Sequence, residues 1–129
     1  MNLRSTSFLA ATYAAFLLFA LNSAVAGQLS PNGTFKGASR HVTTGGVSIV
    51  KTADGGAKVV LAQDFSLDGA PDPRVGLGVN GKYDDASDLG KLTKLKGTQT
   101  YAVPAGIDVS KYNEVYIWCR KYSVPLGVA

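Results

Sequence analysis

The chain is poor in the residues that carry most enzyme chemistry. Its 129 residues include one cysteine and one histidine. A lone cysteine excludes an internal disulfide and any Cys-x-x-Cys motif. A lone histidine leaves His41 as the only base for a Ser/His/Asp triad, and no pattern marks a serine as its partner. Gly-x-Ser-x-Gly and His-Glu-x-x-His motifs are also missing, so the sequence predicts neither a hydrolase nucleophile nor a metal site.

A long hydrophobic run occurs only at the N-terminus. Arg4 precedes an apolar stretch from Phe8 to Leu21, and Ala24-Val25-Ala26 then offers the small residues that signal peptidase accepts. The apolar stretch is shorter than the ~20 residues that span a bilayer as a helix. We therefore expect a cleavable signal peptide over residues 1–26, no membrane span after cleavage, and a secreted or periplasmic protein. An uncleaved N-terminal anchor is the alternative.

The charges of the mature chain are scattered. Loss of Arg4 from the thirteen basic residues leaves twelve against nine acidic ones, a net charge of +3. Only Lys91, Lys94 and Lys96 approach a cluster, and nucleic-acid surfaces usually need more. A solvated loop or a lysine-protected edge strand explains these three lysines. We expect no nucleic-acid partner.

The mature chain consists of short apolar runs separated by turn residues. A polar entry segment over residues 27–33 is expected to be flexible. Beyond it, stretches such as Val47–Lys51 alternate between apolar and polar residues, as half-buried strands do. No window of ten residues shows the helical period. The sequence predicts an all-β domain over residues 34–129, a small antiparallel β-sandwich of about seven or eight strands.

Several turns are marked by their residues. Asp54-Gly55-Gly56 and Asn80-Gly81 predict hairpin turns, because glycine accepts the positive φ that such turns require. Asp108 is expected to cap a single helical turn by accepting a hydrogen bond from a free backbone N–H. Gly76 to Gly81 matches Gly-x-Gly-x-x-Gly, but no helical pattern follows, which argues against a dinucleotide site. These glycines favour a bulge and a turn instead.

Cys119 is the candidate catalytic residue, at the end of a predicted strand from Glu114 to Arg120. Side chains alternate between the faces of a strand, so Cys119 shares the aliphatic face and Trp118 the opposite face. Three interpretations stay open. A free cysteine often acts as a small buried hydrophobe. In an exported protein an unpaired thiol can also form a disulfide to another molecule, including a covalent dimer through Cys119, or serve as a redox tool, which then needs a partner thiol or a prosthetic group. Together with Cys119, His41 is a candidate second ligand of a metal ion or of heme.

The same region resembles a known family. The residues that carry the resemblance are Gly97-Thr98-Gln99-Thr100-Tyr101-Ala102-Val103-Pro104 and Tyr116-Ile117-Trp118-Cys119-Arg120. Earlier segments agree, including Gly33-Thr34-Phe35 and Pro71-Asp72-Pro73. Together they are similar to the DM13 domain family over roughly Gly33 to Ala129.

The resemblance implies a β-sandwich that transfers electrons at or outside the cell surface. Cys119 corresponds to the characteristic cysteine of the family, which is suggested to act as a bare thiol or to hold a prosthetic group such as heme. Trp118 beside it is then a candidate cofactor-binding residue. The partner is expected to be a separate extracytoplasmic redox protein or thiol. The alternative is a non-catalytic envelope or surface binding module in which Cys119 is a buried core residue.

Overall fold

The protein folds into short strands joined by tight turns. The computed structural model describes residues 31–129. Its strands are β1 (Asn32–Thr34), β2 (Lys36–Gly37), β3 (Thr43–Thr44), β4 (Gly46–Lys51), β5 (Ala57–Leu61), β6 (Ser66–Leu67), β7 (Pro73–Val79), β8 (Lys82–Tyr83), β9 (Gly90–Lys91), β10 (Gln99–Val103), β11 (Glu114–Cys119) and β12 (Val124–Val128). Two single-turn 3-10 helices span Asp85–Ser87 and Val109–Lys111.

The strands form two main sheets and one small pair. The first sheet has the order β1-β4-β5-β10. The second has the order β2-β12-β11-β7-β8, with β9 also paired to β7, and β3 pairs with β6. All these pairs are antiparallel. The predicted all-β antiparallel class is confirmed. Twelve strands replace the predicted seven or eight, because six of them are pairs or triplets of residues too short to give a period.

One hydrophobic core joins the inner faces of the two main sheets. Alternation along the strands supplies it: the first sheet contributes Val47, Val59, Leu61, Tyr101 and Val103, and the second contributes Val75, Leu77, Val115, Ile117, Cys119 and Leu126. Phe35, Phe65, Leu67 and Leu92 extend this core from the connecting segments and short strands. The sandwich therefore has β11 in the middle of its second sheet, between β7 and β12, with its aliphatic side in the core.

The first strand, β1, begins inside the predicted entry segment at residues 27–33. The entry segment was expected to be flexible up to residue 33, but Asn32 and Gly33 belong to β1, which pairs with β4 in register Asn32 to Ser48. The predicted signal peptide, residues 1–26, lies outside the described residues.

Two of the predicted local features are confirmed. Asn80 and Gly81 have φ values of 50° and 84°, as a two-residue hairpin turn between β7 and β8 requires. The Asp108 carboxylate accepts from the Ser110 N–H and caps the second 3-10 helix. Over residues 31–129, no helix has the length and apolar character needed to cross a membrane.

Candidate functional site

Cys119 is the last residue of β11 and is buried. It lies opposite Pro73 of β7 on one side and Val124 of β12 on the other. Its side chain is 1% exposed and belongs to the hydrophobic core. The sequence predicted the face correctly: Val115, Ile117 and Cys119 all point inward. The thiol is free, with no disulfide partner among the described residues.

The core around this thiol offers no charge of either sign. Within residues 31–129, the buried polar residues are Thr43, Ser87 and Gln99, all of them uncharged. A reactive cysteine is normally activated by a nearby cation, a metal or a helix N-terminus. The described core supplies no buried cation for that purpose. In the closed fold Cys119 is therefore a small apolar residue that external reagents cannot reach.

The strand pairing beside Cys119 is irregular, however. The register between β11 and β12 shifts between Ile117 and Trp118, and Trp118 faces Pro125, which has no N–H to donate. Beyond Cys119 the chain turns back through the exposed residues 120–123. The neighbouring strand β2 supports β12 only at Gly127 and Val128. The pairing between β11 and β12 is thus irregular near the hairpin end at residues 119–125, while the Arg120 N–H ties the same end to the Asp72 carbonyl.

The opposite face of β11 carries an aromatic cluster, formed by Tyr83, Tyr116 and Trp118. The rings of Tyr83 and Trp118 stack with centroids 4.3 Å apart and planes 12° from parallel. Tyr116 meets both of them edge-on, at 5.6 Å from Tyr83 and 6.3 Å from Trp118. Offset and edge-to-face pairs at these distances are favourable arrangements for aromatic rings. Trp118 remains partly exposed at the edge of the cluster, while Tyr116 is buried.

Two glycines of β7 make room for this aromatic cluster. A Cβ at Gly76 would lie 2.5 Å from Cε2 of Tyr83, and one at Gly78 would lie 2.3 Å from Cε2 of Tyr116. Both rings therefore pack closely against the bare backbone of β7. These are the glycines of the Gly-x-Gly-x-x-Gly match, which here accepts tyrosine rings. The sequence alone did not reveal this role, because it depends on the register of β8 and β11 against β7.

Carboxylates surround the outer side of Tyr83. Burial raises the pKa of Tyr83 strongly, and the charges of Asp88 and Asp85 raise it further, while Arg74 opposes them. Ser87 anchors this acidic loop, because its hydroxyl accepts from the N–H of Leu77 and lies within hydrogen-bond distance of two backbone carbonyls. The Asp-rich loop after β8 thus contains a buried serine and a single 3-10 turn. Tyr83 stays protonated in a locally negative environment.

His41 has a separate role. Its Nδ1 lies 2.8 Å from Oδ1 of Asp68, and the Val42 N–H donates to the other carboxylate oxygen. These contacts tie the connection before β3 to the residue after β6. In residues 31–129, no group of three or more His, Cys, Asp or Glu side chains is placed to hold a metal ion. The histidine is engaged with Asp68 and does not form a ligand pair with Cys119.

A heme does not fit the thiol in this fold. An axial ligand must present its sulfur to an open face, whereas Cys119 is 1% exposed. A large groove of about 1530 Å³ exists elsewhere, between the ends of the two sheets; among its lining residues are Ile49, Val109 and Val115, and Cys119 is not one of them. We derive no heme-dependent step for this chain.

The motif Gly97-x-Gln99-x-Tyr101 is structural. The Gln99 side chain donates to the carbonyls of Lys94 and Gly97 and accepts from the Lys94 N–H. The Tyr101 hydroxyl donates to Gln99 and accepts from the Thr93 N–H. Both side chains are buried. The motif therefore fixes the loop before β10 against the core.

A family model for electron transfer DM13 matches residues 34–129 of this sequence. The chain belongs to the DM13 family. The DM13 match identifies the domain as a general redox or electron-transfer module and agrees with the resemblance seen in the motifs of β10 and β11. No curated protein and no solved structure matches the chain.

Proposed function

We propose that this DM13 domain is an extracytoplasmic electron-transfer module in which Cys119 is the redox-active residue, acting as a bare thiol. The observation that carries the proposal is the family match over residues 34–129, together with a chain that has one cysteine. The hydrophobic N-terminal run supports export. A separate extracytoplasmic redox protein or small thiol is the proposed partner, because one thiol cannot resolve its own oxidation.

Access to the thiol is the central physical question. Exchange between a thiol and a disulfide requires direct attack on sulfur, so a buried thiol reacts only when the fold opens locally. The irregular hairpin end at residues 119–125 supports such an opening, because Pro125 lacks an N–H and β2 supports only the far end of β12. Opening this end alone would expose Cys119 and leave the rest of the sandwich folded.

The bare thiol is favoured over a thiolate bound to heme. A separated hairpin end gives a small disulfide or a partner thiol a path to the sulfur, whereas a porphyrin needs a wide cavity with apolar walls. Trp118 was a candidate cofactor-binding residue in the sequence. Its indole is stacked on Tyr83, so the ring face on that side is already covered. Trp118 therefore serves the module better as a fixed neighbour of the thiol than as the floor of a cofactor site.

The experiment is a comparison of the mature protein with Cys119→Val and Cys119→Ser variants. Each protein is titrated with a glutathione redox buffer, and the mixed disulfide is followed by mass spectrometry. An absorption spectrum with and without dithionite, before and after hemin addition, tests for a chromophore. We expect reversible glutathionylation of the wild type, no modification of either variant, and no heme band. A wild type that forms no mixed disulfide at any redox poise contradicts the proposal, and a heme band that is lost in Cys119→Val contradicts the bare thiol.

A second candidate function is favoured by the burial of Cys119. A thiol that is 1% exposed is also what a non-catalytic surface or envelope binding module would show. The two candidates differ in the cell: Cys119→Val keeps the activity of a binding module if the domain folds, and abolishes that of a thiol-based redox module. Circular dichroism and a thermal scan of the variant supply the folding control.

A further inference from the structure

The second face of β11 suggests a redox role that does not depend on the thiol. We propose that Trp118, stacked on Tyr83, is a one-electron relay at the surface of this domain. The inference rests on the proposed electron-transfer function, and it assigns that function a residue that needs no opening of the fold. It is carried by the geometry of the stacked pair, by the glycines that make room for it, and by the carboxylates around it.

The stacked pair is built for electronic contact. Ring centroids 4.3 Å apart with planes 12° from parallel place the two π-systems in direct stacking contact. Stacking stabilises a positive charge on the indole, because the partner ring is polarisable and presents the negative side of its quadrupole. Tyr116 adds a third ring edge-on to both members of the pair. The pair is held rigidly, because Gly76 lets the Tyr83 ring rest on the backbone of β7.

The charges near the aromatic cluster favour removal of an electron from its rings over addition of one. The negative charges of three carboxylates disfavour a further negative charge on Tyr83, and the positive charge of Arg74 opposes them; the carboxylates are Asp84, Asp85 and Asp88. Arg74 is itself paired, with its Nε 3.2 Å from Oδ1 of Asp72 and its guanidinium 3.9 Å from Asp88. The same negative potential stabilises a positive charge on the adjacent rings. The positive charge is assigned to the indole of Trp118, because an indole can lose an electron without losing a proton, whereas a phenol normally loses both.

The electron count is simple. A one-electron oxidant, of the class of an oxidised metal centre on a partner protein, takes one electron from the Trp118 indole. The metal is reduced by one unit, and the indole becomes a radical cation. A one-electron donor then returns one electron and restores the neutral indole. The net result is the passage of one electron from donor to oxidant, with no bond formed or broken and no net proton transfer.

Trp118 is well placed for this task. It is partly exposed, so an oxidant can approach its ring edge. It is also adjacent in the chain to Cys119, with about 3.8 Å between Cα atoms, and the two side chains point to opposite faces of the sheet. A relay at Trp118 therefore connects the protein surface to Cys119 in the core while Cys119 stays shielded from solvent.

The test uses a photogenerated ruthenium(III) polypyridyl complex as the oxidant. Because the chain has one tryptophan, the transient absorption of a tryptophan radical reports on Trp118 alone. The key variant is Gly76→Ala, whose Cβ would lie 2.5 Å from the Tyr83 ring and displace it from the stack. Gly106→Ala is the matched control, since no atom lies within 4 Å of a Cβ there. Tyr83→Leu removes the stacking partner directly.

We expect several-fold slower oxidation of Trp118 in Gly76→Ala and Tyr83→Leu than in the wild type and Gly106→Ala. Trp118→Phe should abolish the signal, and circular dichroism should show all four variants folded. Equal rates in the wild type, Gly76→Ala and Tyr83→Leu would overturn the relay. Failure of the relay is separable from failure of the proposed function. If the variants do not change the rate of Trp118 oxidation but Cys119 is still glutathionylated, only the relay is refuted. If the variants slow Trp118 oxidation but Cys119 forms no mixed disulfide, only the role of Cys119 is refuted.

Discussion

Modification of Cys119 in the native protein should be slow, and it should proceed through local opening of the hairpin end. The side chain is 1% exposed, so a reagent waits for residues 119–125 to separate. Local openings have free energies between zero and that of global unfolding. An opening free energy of about 3 kcal/mol would slow the reaction roughly 100-fold relative to free cysteine, because each 1.4 kcal/mol is a factor of ten.

The assay follows iodoacetamide labelling by mass spectrometry in increasing, sub-denaturing urea. Local opening exposes little surface, so its free energy changes little with urea, whereas global unfolding responds in proportion to the surface exposed. We expect a labelling rate that is flat at low urea and rises only near the unfolding transition. A matched pair of variants locates the opening. Val124 lies opposite Cys119, and Val128 lies four residues along the same strand, next to Lys36 of β2.

Val124→Ala should accelerate labelling roughly fivefold, corresponding to about 1 kcal/mol for a half-buried valine, while Val128→Ala should leave the low-urea rate nearly unchanged. Two results would refute the reasoning. Labelling at the rate of free cysteine would mean that the thiol is not enclosed. A rate that rises with urea from the lowest concentration, equally in both variants, would mean that only global unfolding exposes it.

Three further predictions concern stability. Cys119→Ser should be about 1–3 kcal/mol less stable than Cys119→Val in urea unfolding, because the serine hydroxyl enters an apolar core; equal stabilities would contradict the described burial. Gln99→Leu should lower the free energy of unfolding by ~2 kcal/mol and Tm by roughly 8–16 °C, because it leaves buried backbone groups without their hydrogen-bond partner. An unchanged thermal scan would show that the hydrogen bonds of the Gln99 side chain are dispensable. The Val42 N–H and His41 lower the pKa of Asp68 below its usual value of 3.8. The ionised carboxylate therefore stabilises the fold above that pH, and the effect disappears as the pH falls through the pKa of the folded state. In urea unfolding, Asp68→Asn should be less stable than wild type at neutral pH and equally stable in acid; a difference that does not change with pH would contradict this.

The sequence predicted the class of fold because its strands carry their own signal. Val47 and Ile49 stand two positions apart in β4, as Val115 and Ile117 do in β11, and both strands turn these residues toward the core. The turn at Asn80-Gly81 was equally clear, since few residues accept its positive φ. Strands of two residues, such as β8 (Lys82–Tyr83), were missed because two residues define no period and are paired only through tertiary contacts.

The site was predictable in part. Alternation placed Cys119 and Trp118 on opposite faces, but it did not show that Tyr83 would cover Trp118. That contact requires β8 to pair with β7 and β7 to pair with β11, which is long-range information absent from any local pattern. The same limit explains Gly76: a glycine that looks like part of a nucleotide motif is needed because a tyrosine from another strand lies against it.

One strand therefore presents two different redox candidates to two different environments. The core side offers the Cys119 thiol, and the described buried residues include no ion or base that could activate it. Two-electron chemistry at this sulfur therefore requires the hairpin end to open. The outer side offers an indole that is already in contact with solvent and with a second ring, and one-electron chemistry there costs no conformational change. If electron exchange by this domain is much faster than the labelling of Cys119, the outer face has to carry it. If it is slow and parallels the labelling of Cys119, the thiol carries it, and the aromatic cluster serves to hold β11 rigid while its end opens.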